Sequence, residues 1–285
     1  MSLQSAVIPS SPHSEAARAY LDESLTIPQN IAPLPRVCAQ LAQLTAQQAI
    51  DSTQLARLLQ SDPALAGELM RVANSPALRP RAAVVSLQQA VSWLGVAEVR
   101  NIAMAVMLRG EVFVAPGHER ESEELWREAW LAGLWAKEIA RERRKHVESA
   151  FLAALMHRTG AAVALKILAR FEVEQRTVMD ARTFADLVME FEPPFGRLLM
   201  NNWGLPDDVQ DGASDWRRYR DSSHSDLAST VNAAHLLATH TLYPQLLSEE
   251  LVLESPVFVQ LGVFPDERKA MLGKREHIVS LAGLQ

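Results

Sequence analysis

Thr53–Ala73 reads TQLARLLQSDPALAGELMRVA. Leu55, Leu58 and Leu59 recur at helical spacing, with Asp51 or Ser52 placed to cap the helix they define. Asp62-Pro63 is a second start signal. Asp is a good N-cap, and proline fits the first helical position because the N–H it lacks has no intrahelical partner there. Leu65, Leu69 and Val72 then form one apolar stripe, and Asn74-Ser75-Pro76 ends it. Two short amphipathic helices joined by a tight turn set the pattern for the whole chain.

The same punctuation recurs on both sides. Arg36–Gln48 carries Val37, Leu41 and Leu44 on one stripe. Ser86-Leu87-Gln88-Gln89 is a capping box, and Gly95 is placed to close that helix in the left-handed region. Val96–Arg109 follows, with Gly110 as its stop. Residues 111–120 contain Pro116-Gly117 and read as the connection between two halves. The second half predicts helices over Glu121–Lys145, Val147–His157, Gly160–Arg170 and Thr183–Phe191. A break at Pro193-Pro194 precedes Phe195–Asn202, and Trp203-Gly204-Leu205-Pro206 is a turn. Ser225–Leu242 and Pro265–Leu284 are the last helices. Residues 250–260 are equally readable as strand or helix, and residues 1–26 as a polar lead-in with little period. No segment alternates strictly between apolar and polar. The expected fold class is all-α, a two-lobed helical bundle of about a dozen helices.

The chain has 285 residues, room for one large domain or two ordinary ones at roughly 150 residues each. Hydrophobic residues make up 48% and charged residues 22%, a globular balance that excludes wholesale disorder. Cys38 is the single cysteine, which excludes an intramolecular disulfide framework and a cysteine-based zinc site. No run approaches the roughly 18 apolar residues of a membrane span, and the first twenty residues lack the basic and apolar regions of a signal peptide. The expectation is a soluble, cytoplasmic protein. With 28 basic and 34 acidic residues the net charge is −6, which does not steer it toward nucleic acid or anionic lipid.

Two basic runs stand against that background: Arg141, Arg143, Arg144 and Lys145, then Arg217, Arg218 and Arg220. The first reads as a solvated helix end, where cations favour the negative pole of the dipole. The helix-turn-helix over Thr53–Ala73 invites a DNA-reading interpretation. Its second helix, however, offers only Glu68 and Arg71 for base edges and phosphates, so two packed core helices are the better reading. There is no phosphate-binding glycine loop, no nucleophile elbow and no HExxH. The eight histidines are scattered.

Three polar residues fall on apolar faces. Glu128 shares its face with Leu125, Leu131, Ala132 and Trp135. Arg158 follows Phe151, Ala154 and Leu155 and precedes Ala161, Ala162 and Leu165. His235 lies among Ala228, Val231 and Ala238. Desolvating an unpaired charge costs several kcal/mol or more, so these side chains need partners or a route to water.

These residues also lie where the chain resembles the HDOD domain, a bacterial signalling module related to the HD-type metal-dependent phosphohydrolases. The resemblance runs through Ile31-Ala32-Pro33-Leu34-Pro35, then Leu58 to Leu65, Leu69 to Ser75, Ser86 to Val91 and Val99-Arg100-Asn101. In the second half it takes in Leu125-Trp126-Arg127, Ala150 to His157 and Trp203-Gly204-Leu205-Pro206. It implies an HDOD domain over 27–245, divided into an N-terminal helical lobe (27–110) and a degenerate HD-like lobe (120–245). Residues 246–285 are then a C-terminal extension with a final helix. Catalytic HD relatives hold a divalent metal with a His, a His-Asp doublet and a later Asp, and the metal activates water and neutralises phosphoryl charge. The first His position falls at or beside Glu128. The doublet reads His157-Arg158. The stretch that often carries a His pair reads Ser214-Asp215-Trp216, and the late Asp falls near His235.

A fixed cation at Arg158 would repel a metal. The expectation is therefore a dead site, no metal, no cofactor, and a Glu128–Arg158 ion pair in the old cavity. The resemblance then implies a non-catalytic regulatory module, a pseudoenzyme that binds a partner protein or small ligand in a signalling pathway. The alternatives are a residual phosphohydrolase acting on a nucleotide or cyclic dinucleotide, and a small anionic ligand held by Arg158. Nucleic acid and membrane are not expected partners.

Overall fold

The computed structural model describes residues 12–27, 52–60, 62–74 and 83–283. Among them the chain is all-α, without a strand. The expected helix Arg36–Gln48 lies outside the described residues.

Helix α1 (Pro12–Thr26) replaces the loose lead-in expected for this segment. Its period was too weak to read, and tertiary contacts hold it. Ala17 and Leu21 are fully buried, and Tyr20 packs on Phe171 at 5.4 Å between ring centroids. Tyr20 also donates its hydroxyl hydrogen to Glu174 and accepts from Arg170.

Helices α2 (Ser52–Gln60), α3 (Pro63–Ala73), α4 (Leu87–Leu94) and α5 (Val96–Glu111) pack on one another. Their stripes are the ones the sequence gives away: Leu55, Leu59, Leu65 and Leu69 are buried. Asp62 caps α3 by accepting from the Leu65 N–H at 3.0 Å. Ser86 caps α4 by accepting from Gln89 N. The return bond of that box lands one residue early, from Val85 N to Gln89 Oε1. Gly95 has φ +84° as expected, but its ψ of 157° is extended and not left-handed helical. Gly110 does not stop α5, which runs to Glu111. Asn74 exchanges two hydrogen bonds with the Val84 backbone, tying the end of α3 to the approach of α4.

The second half is a bundle of α6 (Glu119–Glu142), α7 (Val147–Met156), α8 (Thr159–Gln175), α9 (Ala181–Asn202), α10 (Asp207–Ser214) and α11 (Ser225–Leu242). A 3-10 turn, Trp216–Arg218, precedes α11. Val147–Gln175 taken together is long and apolar enough to cross a membrane, but 83% of its apolar window is buried inside the fold. Gly204, at φ +63°, makes the turn after α9.

Of four further points, three expectations are corrected and one open reading is settled. First, Pro193-Pro194 does not break the chain: α9 runs through both prolines. Their missing N–H groups strand the carbonyls of Met189 and Glu190, which lie on the exposed side where water can take them. Phe191, Phe195 and Leu199 bury the opposite side and keep the helix continuous across the prolines. Second, residues 250–260 are helical, as α12 (Glu249–Leu253) and α13 (Pro256–Gln260). Third, the final segment is two helices, α14 (Pro265–Leu272) and α15 (Arg275–Ala282), separated at Gly273-Lys274. Fourth, Arg143 is not solvated like the rest of its run. It bonds Asp226 and the Leu261 carbonyl, clamping the C-terminal segment to α11.

Candidate functional site: a buried ion chain and a histidine pair

Helix α7 stops at Met156, and His157-Arg158 forms the corner before α8. That corner lies against the middle of α9 because Gly160 has no side chain. An added Cβ would lie 1.9 Å from the Glu192 carbonyl oxygen and 2.7 Å from Gly196 N. The close crossing brings Arg158, two residues earlier, within reach of the Glu192 side chain.

Arg158 donates from Nε to Glu128 Oε2 at 3.0 Å and from Nη1 to Glu192 Oε1. The other oxygen of Glu192 accepts from Arg217 at 2.5 Å. Two carboxylates and two guanidiniums therefore alternate in a chain of balanced charge. The side-chain exposures are 3% at Glu192, 12% at Arg158 and 19% at Glu128. Burial opposes the Arg158 charge, but Glu192 and Glu128 overcome it and hold its pKa above the ordinary range. Burial pushes the Glu128 carboxyl above its usual value, against the pull of Arg158 and with help from the Glu192 charge.

The Arg217 guanidinium also lies over the Trp216 ring, 4.1 Å from its centroid. Trp216 packs in turn on His235 and on the edge of His157. His157 Nδ1 is 2.5 Å from the Ala154 carbonyl, an oxygen that only accepts, so that nitrogen carries the proton. His157 Nε2 is then an acceptor, and it lies 3.1 Å from His235 Nδ1, which must donate. His235 Nε2 is left facing the Thr239 hydroxyl at 3.5 Å. Burial holds both imidazoles well below their ordinary pKa, His235 and Arg158 adding to the effect at His157, Arg158 and Arg217 at His235. This fixes each as a neutral ring in one tautomer.

The structure thus brings together Glu128, His157, Arg158 and His235. Asp215 goes elsewhere. It accepts from Arg197 at 2.6 Å, beside an Asp211 shared between Arg197 and His224. Two members of the cluster, Glu192 and Arg217, escaped the sequence reading. Glu192 had a signal: carried through the prolines, the α9 stripe of Val188, Phe191 and Phe195 has an acid in its middle. Arg217 had none, because a run of arginines looks the same whether or not one of them turns inward.

The donor set does not suit a divalent metal. Both nitrogens of His157 are engaged, a guanidinium holds the position of the doublet's carboxylate, and the two acids of the cluster are bound to arginines. Among the described residues no three His, Cys, Asp or Glu side chains converge on a common point.

The HDOD domain profile matches residues 31–215, about two thirds of the chain. The chain belongs to the HDOD domain family. The HDOD match ends before α11, so His235 lies beyond it. An HDOD domain protein from Geobacter sulfurreducens shares the fold with TM-score 0.71 and 17% identity, over 94% of this chain and 97% of that one. A Shewanella amazonensis protein provisionally named a metal-dependent phosphohydrolase aligns with TM-score 0.70 and 19% identity, over 95% of this chain and all of that one. A provisionally named signal transduction protein from Marinobacter aquaeolei aligns with TM-score 0.68 and 22% identity, over 97% of this chain and 67% of that one. Among curated protein sequences nothing matches the chain.

Proposed function

We propose that this HDOD domain is a non-catalytic signalling module that binds a partner protein and relays its state through the helical bundle. The observation that carries the reading is Arg158 clamped between Glu128 and Glu192 where hydrolytic HD relatives carry a metal-binding carboxylate. An arginine stays charged at any usable pH. With two carboxylates on it the site is electrostatically complete, without the charge a metal would bring. The same saturation weighs against an anionic ligand at Arg158, since the cluster has no surplus positive charge to offer. The name of the Marinobacter relative agrees with a role in signal transduction.

The test is metal analysis of the purified protein, joined to an assay with nucleotides and cyclic dinucleotides. The expected result is no retained Mn, Fe or Mg and no turnover. Tightly held metal, together with turnover that disappears in His157→Ala, would overturn the proposal in favour of a residual phosphohydrolase.

A further inference from the structure

Helix α1 covers a face of the bundle formed by α8 and α9. It lies before residue 31, where the HDOD match begins. Ala17, Leu21 and Ser24 make the buried contact, with Tyr20 and Leu25 half-buried beside them. These positions are three and four residues apart, one stripe of a helix. The body answers with Phe171, against the Tyr20 ring, and with two acids. Glu174 accepts from the Tyr20 hydroxyl at 2.8 Å, and both oxygens of Glu190 accept from Arg18.

Little holds this helix in place. Ala17, Leu21 and Ser24 are the only buried side chains among those described for it. Arg18 and Glu190 are 46% and 47% exposed, and a pair so exposed contributes little. At fifteen residues α1 is marginal as a free helix, so it depends on this small contact. A second helix with the same stripe and a cation can take its place. The face also lies where a change of occupant reaches the ion chain. Glu190 stands in the turn of α9 that lacks two backbone hydrogen bonds at Pro193 and Pro194. Two residues on is Glu192, which holds Arg158 and Arg217.

We infer that the α8–α9 face under α1 is the docking surface for a partner protein, and that α1 is the partner's intramolecular competitor. The partner presents an amphipathic helix with a small residue, an aromatic ring and a leucine on one stripe, and a cation for Glu190. This rests on reading the chain as a partner-binding module but not on the state of the Arg158 cluster, so the metal and turnover assay and the experiment below can fail separately.

The test takes a fluorescent peptide with the sequence of Pro12–Thr26 as the probe and the full chain as the receptor, followed by polarisation. In Leu21→Asp a charge replaces the buried leucine and releases α1. The peptide should bind that variant one to one, at least about tenfold tighter than it binds the unaltered chain, whose own α1 holds the face. A peptide carrying Leu21→Asp should not bind. One carrying Arg18→Glu should bind about fivefold more weakly, and recover when the receptor also carries Glu190→Arg. Hydrogen exchange on the unaltered chain is the second measurement and needs no variant: the α1 amides should exchange at least about tenfold faster than those in the middle of α8. Equal peptide affinity in the two receptors, no saturable binding to a folded Leu21→Asp chain, or α1 protected as long as α8 would each overturn the proposal. So would an unaltered chain that is dimeric and becomes monomeric in Leu21→Asp, which assigns the face to α1 of a second copy.

Discussion

Arg158→Met removes the one cation that lies between Glu128 and Glu192 while keeping an unbranched side chain in place of the arginine's stem. Glu192 retains Arg217, so the damage falls on Glu128, whose hydrogen bond from Arg158 Nε is lost. Breaking a buried pair by deleting one partner costs about 3–5 kcal/mol. Glu128 can shed part of that by taking up a proton, since burial already raises its pKa. The expected loss at pH 7.5 is therefore about 3 kcal/mol, the low end of that range. That is a large share of the roughly 5–15 kcal/mol that holds a domain folded. Urea unfolding should show it as a lower midpoint at unchanged slope. Adding Glu128→Gln to Arg158→Met should recover about 1 kcal/mol or more, because the orphaned charge is gone. The deficit relative to the parent should also narrow toward pH 5.5: Arg158 holds the Glu128 pKa down against burial, so its loss raises that pKa further and the variant takes up more proton on folding than the parent does. A loss below about 1 kcal/mol, or strict additivity between the two positions, would refute the reasoning and reduce the ion chain to a surface contact.

Gly160→Ala should destabilise by about 3 kcal/mol or more, because the new methyl meets backbone of α9, which cannot rotate aside; a thermal melt within a few degrees of the parent would contradict the close crossing. The histidine pair makes stability depend on pH. Both folded pKa values lie below the unfolded one, so the unfolded chain binds more protons and stability falls as pH drops below about 6.5. The two rings together contribute a slope of up to about 2.7 kcal/mol per pH unit, and denaturant titrations at pH 7.0 and 5.5 should show it reduced in His235→Gln. Thr241→Val should cost about 1–3 kcal/mol by stranding the buried Trp135 N–H, which now donates to the Thr241 hydroxyl at 3.1 Å; calorimetry on the variant, with no change in midpoint, would remove that bond from the account.

The all-α fold was legible because its signals are local. Capping residues, proline at the first helical position and leucines at helical spacing act within one or two turns, and α2, α3, α4 and α11 lie close to where those signals put them. The failures share a cause. Helix α1 has almost no stripe of its own and is ordered by α8 and α9. Helix α9 continues through two prolines because buried phenylalanines on either side anchor it. In both, distant packing outweighed local propensity. Arg143 erred the same way: its neighbours in sequence are solvated, but its side chain reaches a segment more than a hundred residues on.

The candidate site divides along the same line. An acid, an arginine and a histidine on apolar faces were visible from spacing alone, because burying a charge demands an answer wherever the chain puts it. What answers each of them was not visible. Residue order says nothing about which helices cross closely enough to touch, and here that was decided by a glycine at one crossing point. Only the folded bundle could choose Glu192 and Arg217 as the closing members and turn Asp215 away. An ion pair depends on the separation of two side chains in space, and the 34-residue separation of Arg158 and Glu192 along the chain carries no record of it.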